Sequence, residues 1–172
     1  MPVFVRPAMH DDLALVEEIE NAADSLLIEL LAPGEWEWEC AVTGSERAAL
    51  PGFILASAET VNGPAVGFVH VIEGDDFAHL EQLSVLLSDG RRGHGRTLVE
   101  AAKLEAKRRG EHRMTLRTFA GVLWNAPFYA TCGFVESESA TEFHRRLAQV
   151  EIGLGLPLYG RRVEMTAGVL RR

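Results

Sequence analysis

The stretch from Glu81 to Glu100 combines residue types that bind phosphate. It reads EQLSVLLSDGRRGHGRTLVE, an apolar strand and a polar turn, then arginines with Gly93 and Gly95 at the start of a helical pattern. The first amides of a helix lack an internal acceptor and lie at the positive end of its dipole, so they can hold an anion. Glycine leaves those amides accessible, and arginine matches phosphate geometry. The stretch predicts a diphosphate-binding turn; a solvated glycine turn before a surface helix is the alternative.

The spacing inside this turn separates it from two common nucleotide motifs. It lacks the Lys-Ser/Thr pair of a Walker loop, and Leu98 stands where a dinucleotide fingerprint has its third glycine. Residues 92–97 (RGHGRT) instead resemble the acyl-CoA signature R/Q-x-x-G-x-G/A of the GNAT N-acetyltransferase family. Thr97 replaces the small last residue of that signature, although its amide is expected to stay available. The cofactor contacts that the resemblance implies are Leu83, Ser84, Val85, Arg91, Arg92, Gly93, His94, Gly95, Arg96, Thr97 and Asn125.

Residues 124–134 (WNAPFYATCGF) resemble the second GNAT signature, in which an Asn precedes Tyr-x-x-x-Gly-Phe. The spacing from Asn125 to Tyr129 is shorter here than in the family. Asn125 is placed to cap a helix with Pro127 in its first turn, and the resemblance makes it a cofactor contact as well. The two signatures occur in the family's order with a helix and a strand between them, so the resemblance extends over residues 3–166.

The resemblance implies direct transfer of an acetyl group from acetyl-CoA to a primary amine of a small molecule. A lysine-like amine has a pKa near 10.4, so neutralising it at pH 7 costs about 4 to 5 kcal/mol, part of which a base or water relay supplies. Glu81 is the base candidate, since the family often has a carboxylate on this strand, and His79 shares its face. Tyr129 is the candidate acid for the leaving thiolate, and a backbone amide of residues 83–85 the implied oxyanion donor. Their structural alternatives are a solvated strand residue for Glu81 and a core tyrosine for Tyr129.

Composition favours one globular domain spanning residues 1–172. Hydrophobic residues make up 47% of the chain and charged residues 24%, and no apolar run is long enough for a membrane span. The N-terminus has no signal-peptide pattern, and Cys40 and Cys132 have no metal-ligand spacing around them, so we expect a cytoplasmic protein without a metal. The net charge of −8 argues against nucleic-acid binding and favours a cationic acceptor.

The element pattern and the resemblance predict an α/β (α+β) domain with the GNAT fold. Its centre would be a mixed, mostly antiparallel twisted sheet of about six to seven strands flanked by helices. Strands are predicted over residues 53–60 and 65–72, joined by an Asn-Gly turn, and over 77–87. A helix over 95–109 leads to a strand at 114–119 in a right-handed parallel crossover. The resemblance further implies that the two parallel strands splay apart to admit the pantetheine arm.

Three predictions concern the N-terminal half. Residues 22–34 read as a second helix, separate from a first one capped by Asp11 or Asp12, and residues 44–51 as a mobile polar connection. The segment 35–39 (EWEWE) is either an edge segment that packs its tryptophans on the domain or one wall of a cleft for a cationic acceptor.

Other functions compete with small-molecule acetylation. A protein N-terminal or lysine acetyltransferase would need a flat, open acceptor groove. A non-catalytic acyl-CoA sensor would have Tyr129 and Glu81 turned away from the thioester, and a nucleotide-binding regulator is disfavoured by the missing Walker lysine. The leucines Leu154, Leu156 and Leu158 leave room for a homodimer.

Overall fold

The computed structural model describes residues 2–31, 41–139 and 141–169, so the acidic-aromatic segment 35–39 lies outside the described residues. The strands are β1 (Phe4–Pro7), β2 (Gly52–Ala58), β3 (Gly67–Glu73), β4 (Ala78–Val85), β5 (Arg113–Phe119), β6 (Val135–Ser137) and β7 (Arg162–Gly168). The helices are α1 (His10–Leu31), α2 (Gly44–Ala48), α3 (His94–Arg108), α4 (Ala126–Thr131) and α5 (Glu142–Gly153), with 3-10 turns at Leu87–Asp89 and Leu156–Tyr159. None of the helices in these ranges combines the length and the apolar character that crossing a membrane requires.

The described strands form one seven-stranded sheet in the order β1-β2-β3-β4-β5-β7-β6. Every neighbouring pair is antiparallel except β4 and β5, which run parallel and are connected through α3. This mixed, mostly antiparallel sheet flanked by helices confirms the predicted fold class. The central strand β3 is buried along its first five residues, which agrees with its apolar sequence on both faces.

The parallel pairing of β4 with β5 is short. It covers three pairs and ends at Leu80 and Leu116, although β4 continues to Val85 and β5 to Phe119. The two strands therefore separate toward their carboxyl ends, and their backbone groups there have no partner across the gap. The expected splay is present.

On its other edge β4 pairs with β3 along its length, with one irregularity. His70 pairs with Gln82 and Val71 with Leu80, so Glu81 is an extra residue in β4. Such a β-bulge bends a strand and changes the direction of the side chain at that point. The bulge places Glu81 where β4 begins to leave β5.

Two apolar clusters cover opposite faces of the sheet, because neighbouring residues of a strand point to opposite sides. On one face α3 packs Leu98, Val99, Ala102 and Ala106 against a cluster that includes Phe53 and Leu55 of β2. On the other face α1 packs Val16 and Ile19 against Ile54, Ala56 and Phe68. The sheet is thus fixed on both sides near the place where β4 and β5 separate.

Two predictions for the N-terminal half are wrong. α1 runs unbroken from His10 to Leu31. Its polar residues Glu20 and Asp24 interrupt the apolar stripe because they line a cleft, not because the helix ends there. Residues 44–48 form α2 rather than a connection, and Thr43 with Glu46 makes a capping box at its start.

Candidate active site

A cleft of about 1560 Å³ opens where β4 and β5 separate. Its floor consists of the carboxyl-terminal halves of these two strands, residues 80–85 and 116–119. The turn before α3 and the helix α4 border it, and residues of α1 and α5 line it as well. The cleft is therefore built from the segments that the two sequence signatures occupy, together with parts of three further elements.

The backbone of β4 presents amides to this cleft. The Leu86 N–H donates to the Val66 carbonyl (2.8 Å), on the side of β3. Because successive amides of a strand point to opposite edges, the amides of Leu83 and Val85 point toward β5, which does not pair with β4 here. The Ser84 amide points to β3 by the same alternation, although Ser84 is also among the residues that line the cleft.

The turn before α3 leaves its first amides unpaired. Gly93 is the N-cap, with a φ of +91° that glycine adopts without strain. A Cβ built at Gly93 would meet no described atom within 4 Å, and one at Gly95 would meet only the Phe128 ring, at 3.5 Å. Thr97 is the first residue of the helix whose amide has a backbone acceptor, the Gly93 carbonyl. Within the described chain, the amides of residues 93–96 remain available for an anion.

The three arginines of this turn have different environments. Arg92 donates to Glu59 (2.5 Å) and lies 3.3 Å from Asp89, and its side chain does not line the cleft. Arg96 lines the cleft while donating to the carbonyl and hydroxyl oxygens of Thr131. Arg91 also lines the cleft and has no hydrogen-bond or ion-pair partner among the described residues. The structure therefore leaves Arg91 as the free cationic donor of the turn in this part of the chain.

Two other residues of the turn have structural contacts. The buried His94 imidazole forms a hydrogen bond with the Ser57 hydroxyl (Nδ1 to Oγ, 3.0 Å), which holds the turn against β2. The amide and hydroxyl of Thr97 both donate to the Gly93 carbonyl, at 3.0 and 2.9 Å. The expectation that the Thr97 amide is available is thus wrong, because this amide already donates to the Gly93 carbonyl. Thr97 also does not line the cleft.

Asn125 lies at the N-cap of α4, but its side chain does not cap the helix. Instead its Oδ1 accepts a hydrogen bond from the Thr118 hydroxyl (2.6 Å), which joins α4 to the free end of β5. The predicted cap is therefore wrong for the side chain, although Asn125 does line the cleft.

Tyr129 is held by aromatic packing at the border of the cleft. Its ring makes edge contacts with Phe128 and Phe134, at centroid distances of 5.2 and 5.8 Å, and only 9% of the residue is exposed. Burial raises the pKa of the phenol above its usual range, so the group keeps its proton throughout the physiological range. The hydroxyl forms no hydrogen bond to another described residue.

Glu81 and His79 face each other at the bulge of β4. Burial raises the pKa of Glu81 although 36% of its side-chain surface is exposed; the nearby Glu151 adds to the rise and Arg47 opposes it. Burial lowers the pKa of His79 to about 3, so its imidazole is neutral. The His79 Nε2 lies 3.6 Å from the Glu81 carboxylate, and this contact is not an ion pair because the ring carries no charge.

One wall of the cleft contains a buried charge pair from α1 and α2. The Arg47 Nη2 donates to Glu20 (2.6 Å) and its Nη1 lies 3.1 Å from His70 Nδ1. Burial raises the pKa of Glu20 to about 6 in spite of this arginine, and Asp24, one turn further along α1, raises it as well. Burial lowers the pKa of His70 to about 4. Arg47 is therefore the charged partner of Glu20 here, beside a neutral histidine.

The opposite wall is closed by α5. Glu151 accepts hydrogen bonds from Arg117 of β5 (3.0 Å) and Arg162 of β7 (2.5 Å). The Arg162 guanidinium lies 4.4 Å from the centre of the Phe119 ring. These contacts fix α5 against the separated ends of the strands.

The structure brings most of the predicted site residues to one cleft. Eleven of the thirteen line it: Glu81, Leu83, Ser84, Val85, Arg91, Gly93, His94, Gly95, Arg96, Asn125 and Tyr129. Arg92 and Thr97 do not. Sequence reasoning missed Glu20, Asp24, Arg47, Arg117, Glu151 and Arg162, which join the site through tertiary packing. The only local signal among them was the pair Glu20 and Asp24, spaced one helical turn apart.

Comparison with known proteins agrees with this geometry. The family model described as "Acetyltransferase (GNAT) family" matches residues 15–134, more than half of the chain. The chain belongs to the GNAT acetyltransferase family, and it is an acyl-CoA-dependent N-acyltransferase by class.

Solved structures share the fold at low identity. The ribosomal-protein-S18-alanine N-acetyltransferase from Escherichia coli is 18% identical, with a TM-score of 0.67 over 99% of this chain and 96% of that one. An aminoglycoside 6'-N-acetyltransferase complexed with coenzyme A is 15% identical, with a TM-score of 0.65 over 98% of both chains. N-acetylglutamate synthase from Neisseria gonorrhoeae, complexed with coenzyme A and N-acetyl-glutamate, is 14% identical, with a TM-score of 0.69 over 99% of this chain and 36% of that one. By their names, these structural neighbours acetylate a protein, a small molecule and an amino acid, respectively.

Proposed function

We propose that this protein transfers an acetyl group from acetyl-CoA directly to a primary amine of a small molecule. The observation that carries the proposal is the position of Glu81, a carboxylate of raised pKa on β4, in the same cleft as the unpaired amides of the turn before α3. Two of the solved neighbours were crystallised with coenzyme A, which supports the donor.

The cleft fits coenzyme A by the chemistry of its donors. The amides of residues 93–96, the open space above Gly93 and the free Arg91 suit a diphosphate. The amides of Leu83 and Val85, on the edge of β4 that faces the gap, suit an extended amide chain and a carbonyl oxygen. When bound, acetyl-CoA supplies an acetyl group activated as a thioester.

Glu81 acts as the base in this proposal. A carboxylate of raised pKa takes a proton from an ammonium group more readily than an ordinary glutamate, directly or through a water. The Leu83 or Val85 amide then stabilises the carbonyl oxygen as it gains negative charge. Removal of the amine proton costs about 4 to 5 kcal/mol at pH 7, and a base within reach supplies part of this.

Tyr129 acts as the acid. Its phenol holds its proton because burial raises the phenol pKa, and the residue lies on α4 at the border of the cleft. Proton donation to the departing thiolate, whose conjugate thiol has a pKa near 8.5, favours release. The ring packing keeps the phenol in one position.

The walls of the cleft favour a compact cationic acceptor. Glu20, Asp24 and Glu81 place carboxyl groups on or near one side, while α5 closes the other side through the contacts of Glu151. This arrangement supports a small amine over a folded protein surface. The homodimer, the cytoplasmic location and the single-domain organisation stay predictions.

The test is an acetyl-transfer assay that measures free thiol with acetyl-CoA and two sets of acceptors. One set contains small primary amines, and the other contains peptides with a free N-terminus or lysine. We expect turnover with small amines and a fall in kcat/KM of about 100-fold in Glu81→Gln. Glu100→Gln removes a carboxylate from the exposed face of α3 and serves as the control, with kcat/KM expected to stay at the wild-type value.

Three results would contradict the proposal. Turnover with peptides alone would assign a protein acceptor. Tight binding of coenzyme A with no turnover on any acceptor would assign a sensor. Unchanged kcat/KM in Glu81→Gln would remove Glu81 from the mechanism.

A further inference from the structure

A buried chain of hydrogen bonds leads from His79, beside Glu81, to the start of α5. The His79 Nδ1 lies 2.8 Å from the Thr115 hydroxyl, and the same hydroxyl lies 3.0 Å from His144 Nε2. The His144 Nδ1 in turn lies 2.6 Å from the Thr141 hydroxyl. The three inner residues are at most 2% exposed, and none of them belongs to either sequence signature.

Both imidazoles of the chain are neutral, so each carries one N–H. Burial lowers the pKa of His79, and burial together with Arg113 and Arg117 lowers the pKa of His144. A neutral imidazole donates from one nitrogen and accepts at the other, and a hydroxyl has one hydrogen to donate. When the Thr115 hydroxyl also donates within the chain, the chain has two orientations, one toward Glu81 and one toward Thr141.

The outer end favours the orientation toward Glu81. Thr141 is the N-cap of α5, and its hydroxyl oxygen accepts a hydrogen bond from the His144 backbone N–H (3.3 Å). The hydroxyl hydrogen is then free to donate to the His144 Nδ1. His144 carries its hydrogen on Nε2 and donates to Thr115, and Thr115 donates to the His79 Nδ1.

The inner end favours the same orientation. With its Nδ1 accepting, His79 carries its hydrogen on Nε2, the nitrogen that lies 3.6 Å from the Glu81 carboxylate. The opposite orientation would place a nitrogen lone pair against a carboxylate, which is repulsive. The distance is longer than a hydrogen bond, as is common for catalytic contacts before substrate binds.

We propose that His79 is a positioning residue for Glu81, and that Thr115, His144 and Thr141 fix the His79 tautomer so that its Nε2–H points at the Glu81 carboxylate. This inference rests on the proposed role of Glu81 as the base. The N–H restrains the carboxylate at the bulge and favours its charged form, the form that accepts a proton. The titratable and charged groups around the pair are Glu20 of α1, Arg47 of α2, His70 of β3, Arg113 and Arg117 of β5 and Glu151 of α5.

The tautomer can be measured without any substrate. Two-dimensional ¹H–¹⁵N spectra of the imidazole rings distinguish an Nε2–H from an Nδ1–H histidine, and His79→Gln identifies the His79 signals. We expect both His79 and His144 as Nε2–H tautomers at pH 7. If the spectra of the unmodified protein showed an Nδ1–H tautomer or a charged ring at His79, the inference would be overturned.

Two substitutions of His79 separate its two nitrogens. The Asn side-chain amide reaches the place of Nδ1 and the Gln amide the place of Nε2, so His79→Asn loses the donor to Glu81 and His79→Gln keeps it. ¹³C-carboxyl titration, with Glu81→Gln to identify the signal, reports the pKa of Glu81. We expect this pKa to rise by about one unit in His79→Asn and to stay near the wild-type value in His79→Gln.

Thr115 provides the second comparison. Thr115→Val removes the hydroxyl and keeps the shape of the side chain. We therefore expect a mixture of His79 tautomers, and a rise in the Glu81 pKa that is smaller than in His79→Asn. Thr115→Ser keeps the hydroxyl, so we expect the His79 tautomer and the Glu81 pKa of the wild type. An unchanged Glu81 pKa in both His79→Asn and Thr115→Val would make the chain purely structural. Because these measurements need no acceptor, they separate this inference from failure of the proposed acetyl transfer, which the thiol assay tests.

Discussion

The Arg47 guanidinium donates a hydrogen bond to the Glu20 carboxylate across 2.6 Å, and both side chains are buried at the wall of the cleft. This contact joins α2 to α1 behind the Glu81 bulge. Even with this partner, burial raises the pKa of Glu20 to about 6. The carboxylate is thus held in a place that penalises its charge, which makes stability depend on pH.

Glu20→Gln should change how stability varies with pH. The pKa of Glu20 is about 6 in the folded state and 4.5 in the reference state, so the folded protein binds more protons between these values and loses stability as pH rises. The shift corresponds to about 2 kcal/mol. The free energy of unfolding in urea should fall between pH 4 and pH 7 in the wild type. In Glu20→Gln this fall should be smaller by about 2 kcal/mol.

The control for this measurement is Glu17→Gln, an exchange on the same helix at a residue that is only partly buried and lies outside the cleft. Its pH dependence should follow the wild type. An equal loss of stability with pH in Glu20→Gln and in the wild type would show that the Glu20 carboxyl titrates normally.

Arg91 and Arg92 should differ in their effect on binding of coenzyme A. Arg91 lines the cleft without a partner in the described chain, whereas Arg92 does not line it and is paired with Glu59 and Asp89. Calorimetry should show affinity weakened roughly tenfold in Arg91→Gln and by less than about twofold in Arg92→Gln. The loss in Arg91→Gln should shrink at high salt, because screening already weakens an exposed charge.

The opposite order of the two variants would contradict this assignment. It would mean that Arg92 leaves Glu59 to contact the phosphate. Urea unfolding of both variants is the control, and each should lose at most about 1 kcal/mol, as is usual for exposed charged residues.

Gly93 and Gly110 form a second matched pair. They lie just before and just after α3, with φ values of +91° and +96°, and a Cβ at either would meet no described atom within 4 Å. Replacement by Ala should cost each about 1 to 2 kcal/mol of stability through the left-handed backbone alone. Only Gly93→Ala should also weaken coenzyme A binding in calorimetry, because only this turn has the free amides.

Equal affinities for coenzyme A in the two variants, at equal stability, would contradict a phosphate site at the turn. A loss of affinity in Gly110→Ala would also contradict it, since Gly110 does not line the cleft.

Local patterns in the sequence predicted the parts of the site that depend on local structure. Gly93 and Gly95 before a helical pattern indicated the turn amides, and the strand before them placed Glu81 beside the turn. Both features follow from residues close together in the chain. The same reasoning could not foresee that Glu59, 33 residues from Arg92, would pair with it.

Where the sequence reading erred, tertiary contacts decided the outcome. The apolar stripe predicted a separate helix from residue 22, but Glu20 and Asp24 are the cleft side of one long helix. Asn125 has the residue type of a cap, yet the Thr118 hydroxyl competes for its side chain. Periodicity reports which face of an element is apolar, and it cannot distinguish a solvated polar face from one that lines a cleft.

Tyr129→Phe tests whether the phenol acts in catalysis or only packs. The substitution keeps the ring that contacts Phe128 and Phe134 and removes only the hydroxyl, which has no described partner, so stability should change by less than about 1 kcal/mol. As the acid for the thiolate, Tyr129 should contribute about 100-fold to kcat, with little change in KM for acetyl-CoA. Steady-state kinetics on the accepted amine measures both constants. Tyr159→Phe, at the other tyrosine of the chain, which does not line the cleft, should keep the wild-type kcat. Equal kcat values in the two variants would leave Tyr129 as a packing residue, because a group that donates its proton cannot be removed without slowing release of the thiol.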